Sequence, residues 1–120
     1  MRAIARVSEI GENEPTFVHL GTELIGIYKF KNRIFAYRNV CPHEGGPAVE
    51  GEVMGNIECS VSKGQRMEQR VSKDVVNIVC PWHGIEYDIE TGISRANTTL
   101  RLSKFQIIVE GDEILADTEY

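Results

Sequence analysis

The 120-residue chain is predicted to be all-β, an antiparallel sandwich or small barrel. Three observations predict this. Apolar, β-branched runs are short, pairs of Gly, Asn and Asp punctuate them, and no stretch sustains a helical period. The length suits a single domain. Composition is that of an ordinary globular chain, 42% hydrophobic and 26% charged, which excludes a disordered, collagen-like or coiled-coil protein.

The elements follow in order. Residues 2–7 alternate weakly, with Ala3, Ala5 and Val7 on one side. Residues 17–20 form a short strand, and 24–30 form an apolar strand. Lys31 and Asn32 make a hairpin turn, because Asn tolerates positive φ. Residues 33–40 return as the partner strand. A loop with two prolines and three glycines fills 41–51. Strands are expected again at 75–79 and 85–89, with Glu90, Thr91 and Gly92 closing a turn. Residues 100–102 and 105–109 continue the sheet, and Gly111 and Asp112 turn the chain into a last strand at 113–116.

Charge and chain ends narrow the function. The formal charge is −5, a poor basis for binding nucleic acid or an anionic membrane. No signal-peptide run and no bilayer-length apolar window is present, so a cytoplasmic location is expected. Three cysteines are an odd number, and in a reducing compartment thiols serve as metal ligands, catalytic groups or core residues. Asn97-Thr98-Thr99 fits a glycosylation acceptor, which lacks meaning without secretion.

Two loops concentrate the chemistry. One reads Cys41-Pro42-His43-Glu44-Gly45-Gly46-Pro47, the other Cys80-Pro81-Trp82-His83-Gly84. Each pairs a thiolate with an imidazole, and Pro and Gly permit the tight turns this needs. Two thiolates and two imidazoles admit structural zinc or a two-iron, two-sulfur cluster with cysteines on one iron and histidines on the other. Zinc fingers segregate their Cys and His pairs. Here each loop contributes one of each, and that mixed spacing favours the cluster.

These boxes, with Tyr87-Asp88 and Thr91-Gly92 after them, resemble the Rieske iron–sulfur family over about residues 24–116. The likeness is strongest to the small Rieske-type ferredoxins that feed electrons to aromatic-ring oxygenases. It implies a Rieske-like antiparallel sandwich or barrel with a small cluster-binding subdomain. It implies one [2Fe-2S] cluster per chain, with Cys41 and Cys80 on one iron and His43 and His83 on the other. Gly45 and Pro81 would shape the loops, Trp82 would pack over the cluster, and Tyr87 would stand near sulfur. Cys59, in alternation with Ile57 and Val61, reads as a core residue, and His19 as a strand histidine.

Charge explains the potential such a site would have. With two neutral imidazoles the oxidised cluster is neutral, whereas four thiolates would leave it doubly negative and harder to reduce. The type spans roughly −150 to +300 mV, and loss of an outer imidazole proton would make the potential pH-dependent at the alkaline end. Respiratory members carry an inter-loop disulfide and Ser and Tyr donors to sulfur. Gly46 and Trp82 stand at the disulfide positions, Ile85 at the Ser position and Tyr87 at the Tyr position. One donor of the pair is therefore kept, which implies a low family potential raised somewhat by Tyr87.

One feature departs from the ferredoxin pattern. Thirty-six residues separate His43 from Cys80, about double the family spacing. The surplus falls at about 54–74, as an inserted loop or hairpin. Its centre, 60–73, carries Lys63, Arg66, Arg70 and Lys73 against Glu68, a net +3 that leaves −8 on the rest. A solvated extension is the simpler reading, and a docking element for an acidic partner the sharper one.

The expected function is a soluble electron carrier that passes single electrons from a reductase to a terminal oxygenase, an electron-transfer component and not an enzyme. A mononuclear iron site needs two His and a carboxylate, and His19 alone is left over. No Gly-rich nucleotide fingerprint is present. Two alternatives stand: the small Rieske subunit of an oxidoreductase such as assimilatory nitrite reductase, and a zinc-stabilised interaction module.

Overall fold

The computed structural model describes residues 2–40, 46–61, 67–81 and 84–116, and for 57–61, 67–70 and 73 the backbone alone. Nine strands run through them: β1 (Arg2–Arg6), β2 (Thr16–Leu20), β3 (Glu23–Phe30), β4 (Arg33–Arg38), β5 (Val53–Val61), β6 (Met67–Val79), β7 (Glu86–Asp88), β8 (Ile108–Glu110) and β9 (Glu113–Ala116). They form three antiparallel three-stranded sheets, ordered β1-β9-β8, β2-β3-β4 and β5-β6-β7. No helix among the described residues is long and apolar enough to cross a membrane.

The middle sheet is buried on both faces, and the two-residue period of β3 does this. Ile25 and Ile27 point into one core with Ile10, Leu20, Ala36, Phe105, Ile114 and Ala116. Tyr28 and Phe30 point into the other with Tyr37, Val49, Ile78, Cys80, Tyr87 and Leu102. Thus β9 covers one face and β6 with β7 the other. Lys31 and Asn32 both take positive φ, 51° and 61°, the two-residue turn whose twist suits a hairpin.

β5 and the first half of β6 occupy the segment expected at about 54–74 to be an inserted loop or hairpin. They pair as a long hairpin, Val53 opposite Ile78 and Val61 opposite Met67. The register slips between Gly55 and Ile57, so four residues of β6 bulge opposite Asn56. Ser72 makes the bulge, its Oγ accepting from the amides of Asp74 at 3.2 Å and Val75 at 3.0 Å. Gly55 accommodates it, since a Cβ there would lie 2.2 Å from the Ser72 carbonyl oxygen. The radius of gyration, 15.8 Å, exceeds the about 13.6 Å of a compact domain this long, as a projecting hairpin requires.

Two expected strands shrink. Residues 100–102 form no strand and bridge residue 93 through Ile93–Arg101, and of 105–109 the ladder begins at Ile108. Between them the chain meets β4 at an antiparallel Tyr37–Lys104 bridge, with Arg38 N donating to Ser103 O at 2.9 Å and Phe105 N to Ala36 O at 3.0 Å. Along β1 a register shift between Ala3 and Ala5 turns Ile4 and Ala5 inward and leaves Ala3 exposed. His19 lies on β2, on the solvent face.

Candidate metal centre

Cys41, Pro42, His43, Glu44, Gly45, Trp82 and His83 lie outside the described residues, as does the Cys59 side chain. Of the four candidate ligands the structure describes Cys80, and it describes both ends of each ligand loop.

The first loop leaves β4 abruptly. The amide of Asn39 still donates to Leu24 O at 3.1 Å, but that of Val40 folds back on Arg38 O at 2.9 Å, a tight turn at a strand end. The chain returns through Gly46 and Pro47 into a single 3-10 turn, Ala48–Glu50. Ala48 and Val49 are fully buried. The Tyr28 hydroxyl donates to Val49 O at 3.2 Å. Asn39 bridges the two ends, its Oδ1 accepting from Val49 N and its Nδ2 donating to Glu50 Oε2, each at 3.1 Å.

The second loop starts from Cys80, buried at the end of β6, where Pro81 follows on the exposed side. The Cys80 amide donates to Ile85 O at 2.9 Å, and Gly84 at φ +65° makes the reversal with a conformation that favours glycine. Ile85 packs against the same core. Tyr87 follows on β7, fully buried opposite Ile78.

The two loops are joined at their roots. Val79 N donates to Glu52 O at 2.8 Å, and Gly51 abuts Val79, with its would-be Cβ 1.6 Å from Val79 O and 3.1 Å from Pro81 Cδ. The chain that closes the Cys41–His43 loop therefore rests on the residue before Cys80. A buried cysteine, with the root of its loop bonded to the root of a second loop whose sequence carries Cys and His, fits a thiolate–imidazole metal group.

A polar network steadies β7. Asn77, 1% exposed, donates from Nδ2 to Asn56 Oδ1 and Glu86 Oε2, each at 3.0 Å, and accepts from Arg95 Nε at 2.8 Å. Arg95 also donates from Nη2 to Asp88 Oδ2 at 2.7 Å, and from its amide to Glu86 O at 3.0 Å. Tyr87 lies between the two carboxylates so held. Sequence reading missed Asn39, Gly51, Asn77 and Arg95. Asn39 alone carried a signal, an Asn beside a loop, a residue type that bonds local backbone.

The family pattern described as the Rieske [2Fe-2S] domain matches residues 1–106. Human apoptosis-inducing factor 3 is 26% identical over 113 residues, 93% of this chain but 15% of that protein. The ferredoxin component of the alkene monooxygenase system of Xanthobacter autotrophicus is 25% identical over 118 residues, 97% of this chain and 80% of that one. In structure, the ferredoxin of carbazole 1,9a-dioxygenase from Nocardioides aromaticivorans superposes with a TM-score of 0.68 at 18% identity, covering 98% of this chain and 97% of that one. A Mycobacterium tuberculosis chain assigned as an NADH-dependent nitrite reductase small subunit superposes at 0.63 with 13% identity, covering 94% and 89%. At these identities the structural likeness is one of fold.

Proposed function

The chain belongs to the Rieske [2Fe-2S] domain family, and from that premise we propose that it is an electron carrier for an oxygenase system. Cys41 and Cys80 hold one iron of a single [2Fe-2S] cluster, and His43 and His83 the other. The bound cluster supplies one-electron storage. The chain's own residues set its surroundings. Cys80 presents its thiolate from the buried end of β6, Gly45 and Pro81 shape the two loops, and Trp82 keeps water from the metal side. Tyr87 brings a hydroxyl into the core that contains Cys80.

The observation that supports this most is the joining of the loop roots, Val79 N to Glu52 O at 2.8 Å. It joins the described residues that flank the two loops, which supports both loops serving one site. The proposed partners are a reductase that donates and a terminal oxygenase that accepts, a reading supported by the likeness to a ferredoxin component of an alkene monooxygenase system. The chain acts in the cytoplasm as a single domain over 1–120, with 54–74 as an inserted hairpin. A nitrite reductase small subunit is the second reading, favoured by the Mycobacterium likeness. There the chain would stay bound to one large subunit.

Purification with iron, sulfide and zinc analysis tests the cluster. A red-brown protein with two irons and two sulfides per chain, as a [2Fe-2S] centre requires, is expected. A colourless zinc protein overturns it. Native mass then separates a free carrier from a bound subunit.

A further inference from the structure

We propose that Asn39 is a positioning residue for the ligand loop 41–47, an inference that rests on the cluster reading above. Its amide ties the strand end that launches the loop to the turn that ends it. Asn39 is itself fixed to β3 through its N–H on Leu24 O, 3.1 Å. From that anchor its Oδ1 takes Val49 N–H and its Nδ2 meets the Glu50 carboxylate, both at 3.1 Å.

The turn that Asn39 meets is also held by the core. Val49 is fully buried, its carbonyl takes the Tyr28 hydroxyl, and its Cβ lies 2.7 Å from where a Cβ on Gly26 would be. Two residues on, Gly51 and Glu52 rest on Val79, next to Cys80. One path of contacts thus runs from Asn39 through 49–52 to Val79, and it bounds the first loop at both ends while touching the root of the second. The Asn39 side chain thereby links the two described ends of the loop, residue 39 and residues 49–50, across the chain that carries Cys41 and His43.

The charge at Glu50 gives a specific test. Asn39→Asp keeps an acceptor for Val49 N–H but sets a carboxylate against Glu50. Adding Glu50→Gln restores a donor–acceptor pair with the roles exchanged. Three quantities are read on the purified protein at neutral pH: iron release to EDTA, the electron paramagnetic resonance spectrum of the reduced cluster, and amide hydrogen exchange at Val49. Asn39→Ala and Asn39→Asp are expected to release iron about tenfold faster than wild type, with broadened resonance lines and faster exchange at Val49. The double variant N39D/E50Q is expected to return to within about twofold of wild type. A merely structural Asn39 would lower stability without moving the resonance lines.

Wild-type release, lines and exchange in Asn39→Ala overturn the proposal, and so does a double variant no better than Asn39→Asp. If Asn39→Ala fails to fold, the comparison of Asn39→Asp with N39D/E50Q decides. A wild-type protein without iron refutes the cluster reading instead, and Val49 exchange then still decides whether Asn39 closes the loop.

Discussion

Gly51 stands so close to Val79 that a Cβ at position 51 would lie 1.6 Å from the Val79 carbonyl oxygen and 2.8 Å from its carbonyl carbon. Both atoms are backbone, so no side-chain rotation relieves the overlap. The end of β6 must move, and Cys80 moves with it. Gly51→Ala is expected to lower stability by about 3 kcal/mol, the upper range for overpacking, in urea unfolding of the cluster-free protein. Gly84→Ala is the contrast. Nothing lies within 4 Å of its would-be Cβ, and only its φ of +65° resists substitution, so about 1 kcal/mol is expected.

Tyr28 and Tyr37 lie 6.2 Å apart between ring centres, and each donates its hydroxyl to a carbonyl, Tyr28 to Val49 at 3.2 Å and Tyr37 to Ile89 at 2.8 Å. Burial pushes both hydroxyls far above their ordinary pKa of 10.0, with Tyr37 adding to Tyr28, and Asp88 and Glu90 adding to Tyr37. The sign follows from proton counting. Below pH 10 both states hold the proton, and stability from these groups is flat. Above pH 10 the unfolded chain releases protons that the folded chain keeps, so stability falls as pH rises toward the raised values. Urea midpoints measured from pH 8 to 12 should decline only above 10. Tyr28→Phe and Tyr37→Phe should each flatten that decline while lowering stability at pH 8 by about 1–2 kcal/mol, for the carbonyl left without its donor.

Asn77 is buried with both ends of its amide engaged, and Arg95 is part-exposed with Asp88 beside it. The two should respond differently. Asn77→Ala strips partners from buried polar groups and is expected to lower stability by about 2 kcal/mol. The Arg95–Asp88 pair, screened by solvent, should show a coupling of about 0.5 kcal/mol in a double-mutant cycle. A larger coupling than the Asn77 loss would mean that charge, not the amide, holds β7.

The middle sheet was legible because its signals are local. Ile25, Ile27, Tyr28 and Phe30 carry the two-residue period, and Asn32 carries the turn. Cys80 and Tyr87 were legible as members of a spaced motif. The segment at about 54–74 was read only as a loop or hairpin, without strand bounds, because Gly55 and a run of charged residues look like loop, and the Ser72 bulge breaks the alternation that marks a strand. Gly51 and Asn77 were invisible, and Asn39 carried only the signal of an Asn beside a loop, for another reason. Each matters through a partner ten to twenty-eight residues away, Val49, Val79 and Asn56 among them, and no local pattern encodes such a contact.

Beyond that bulge the hairpin is carried by its own ladder, from Ile57 opposite Val71 to Val61 opposite Met67. Among the described residues its backbone pairs with no other strand. Excising 58–70 and closing the strands with a two-residue turn should change stability by less than about 1 kcal/mol and leave the iron content unchanged. Electron transfer to the proposed oxygenase partner should also persist. A rate cut tenfold at low salt, about 1.4 kcal/mol of barrier, would instead assign the net positive segment 60–73 a docking role.

Tyr87 offers the sharpest test of the cluster's surroundings. It is fully buried on β7, in the core that contains Cys80, and Glu86 and Asp88 on either side are held by Asn77 and Arg95. A hydroxyl donating toward a cluster sulfur favours the reduced form, which carries one more negative charge. Its removal must therefore lower the midpoint potential. A hydrogen bond worth about 1 kcal/mol more in the reduced state corresponds to on the order of 40 mV for one electron. Tyr87→Phe should show that drop in redox titration, and Tyr37→Phe, whose hydroxyl is engaged by Ile89 O, should not. Equal midpoints in wild type and Tyr87→Phe would remove the Tyr87 hydroxyl from the cluster's hydrogen bonds and leave loop geometry to set the potential.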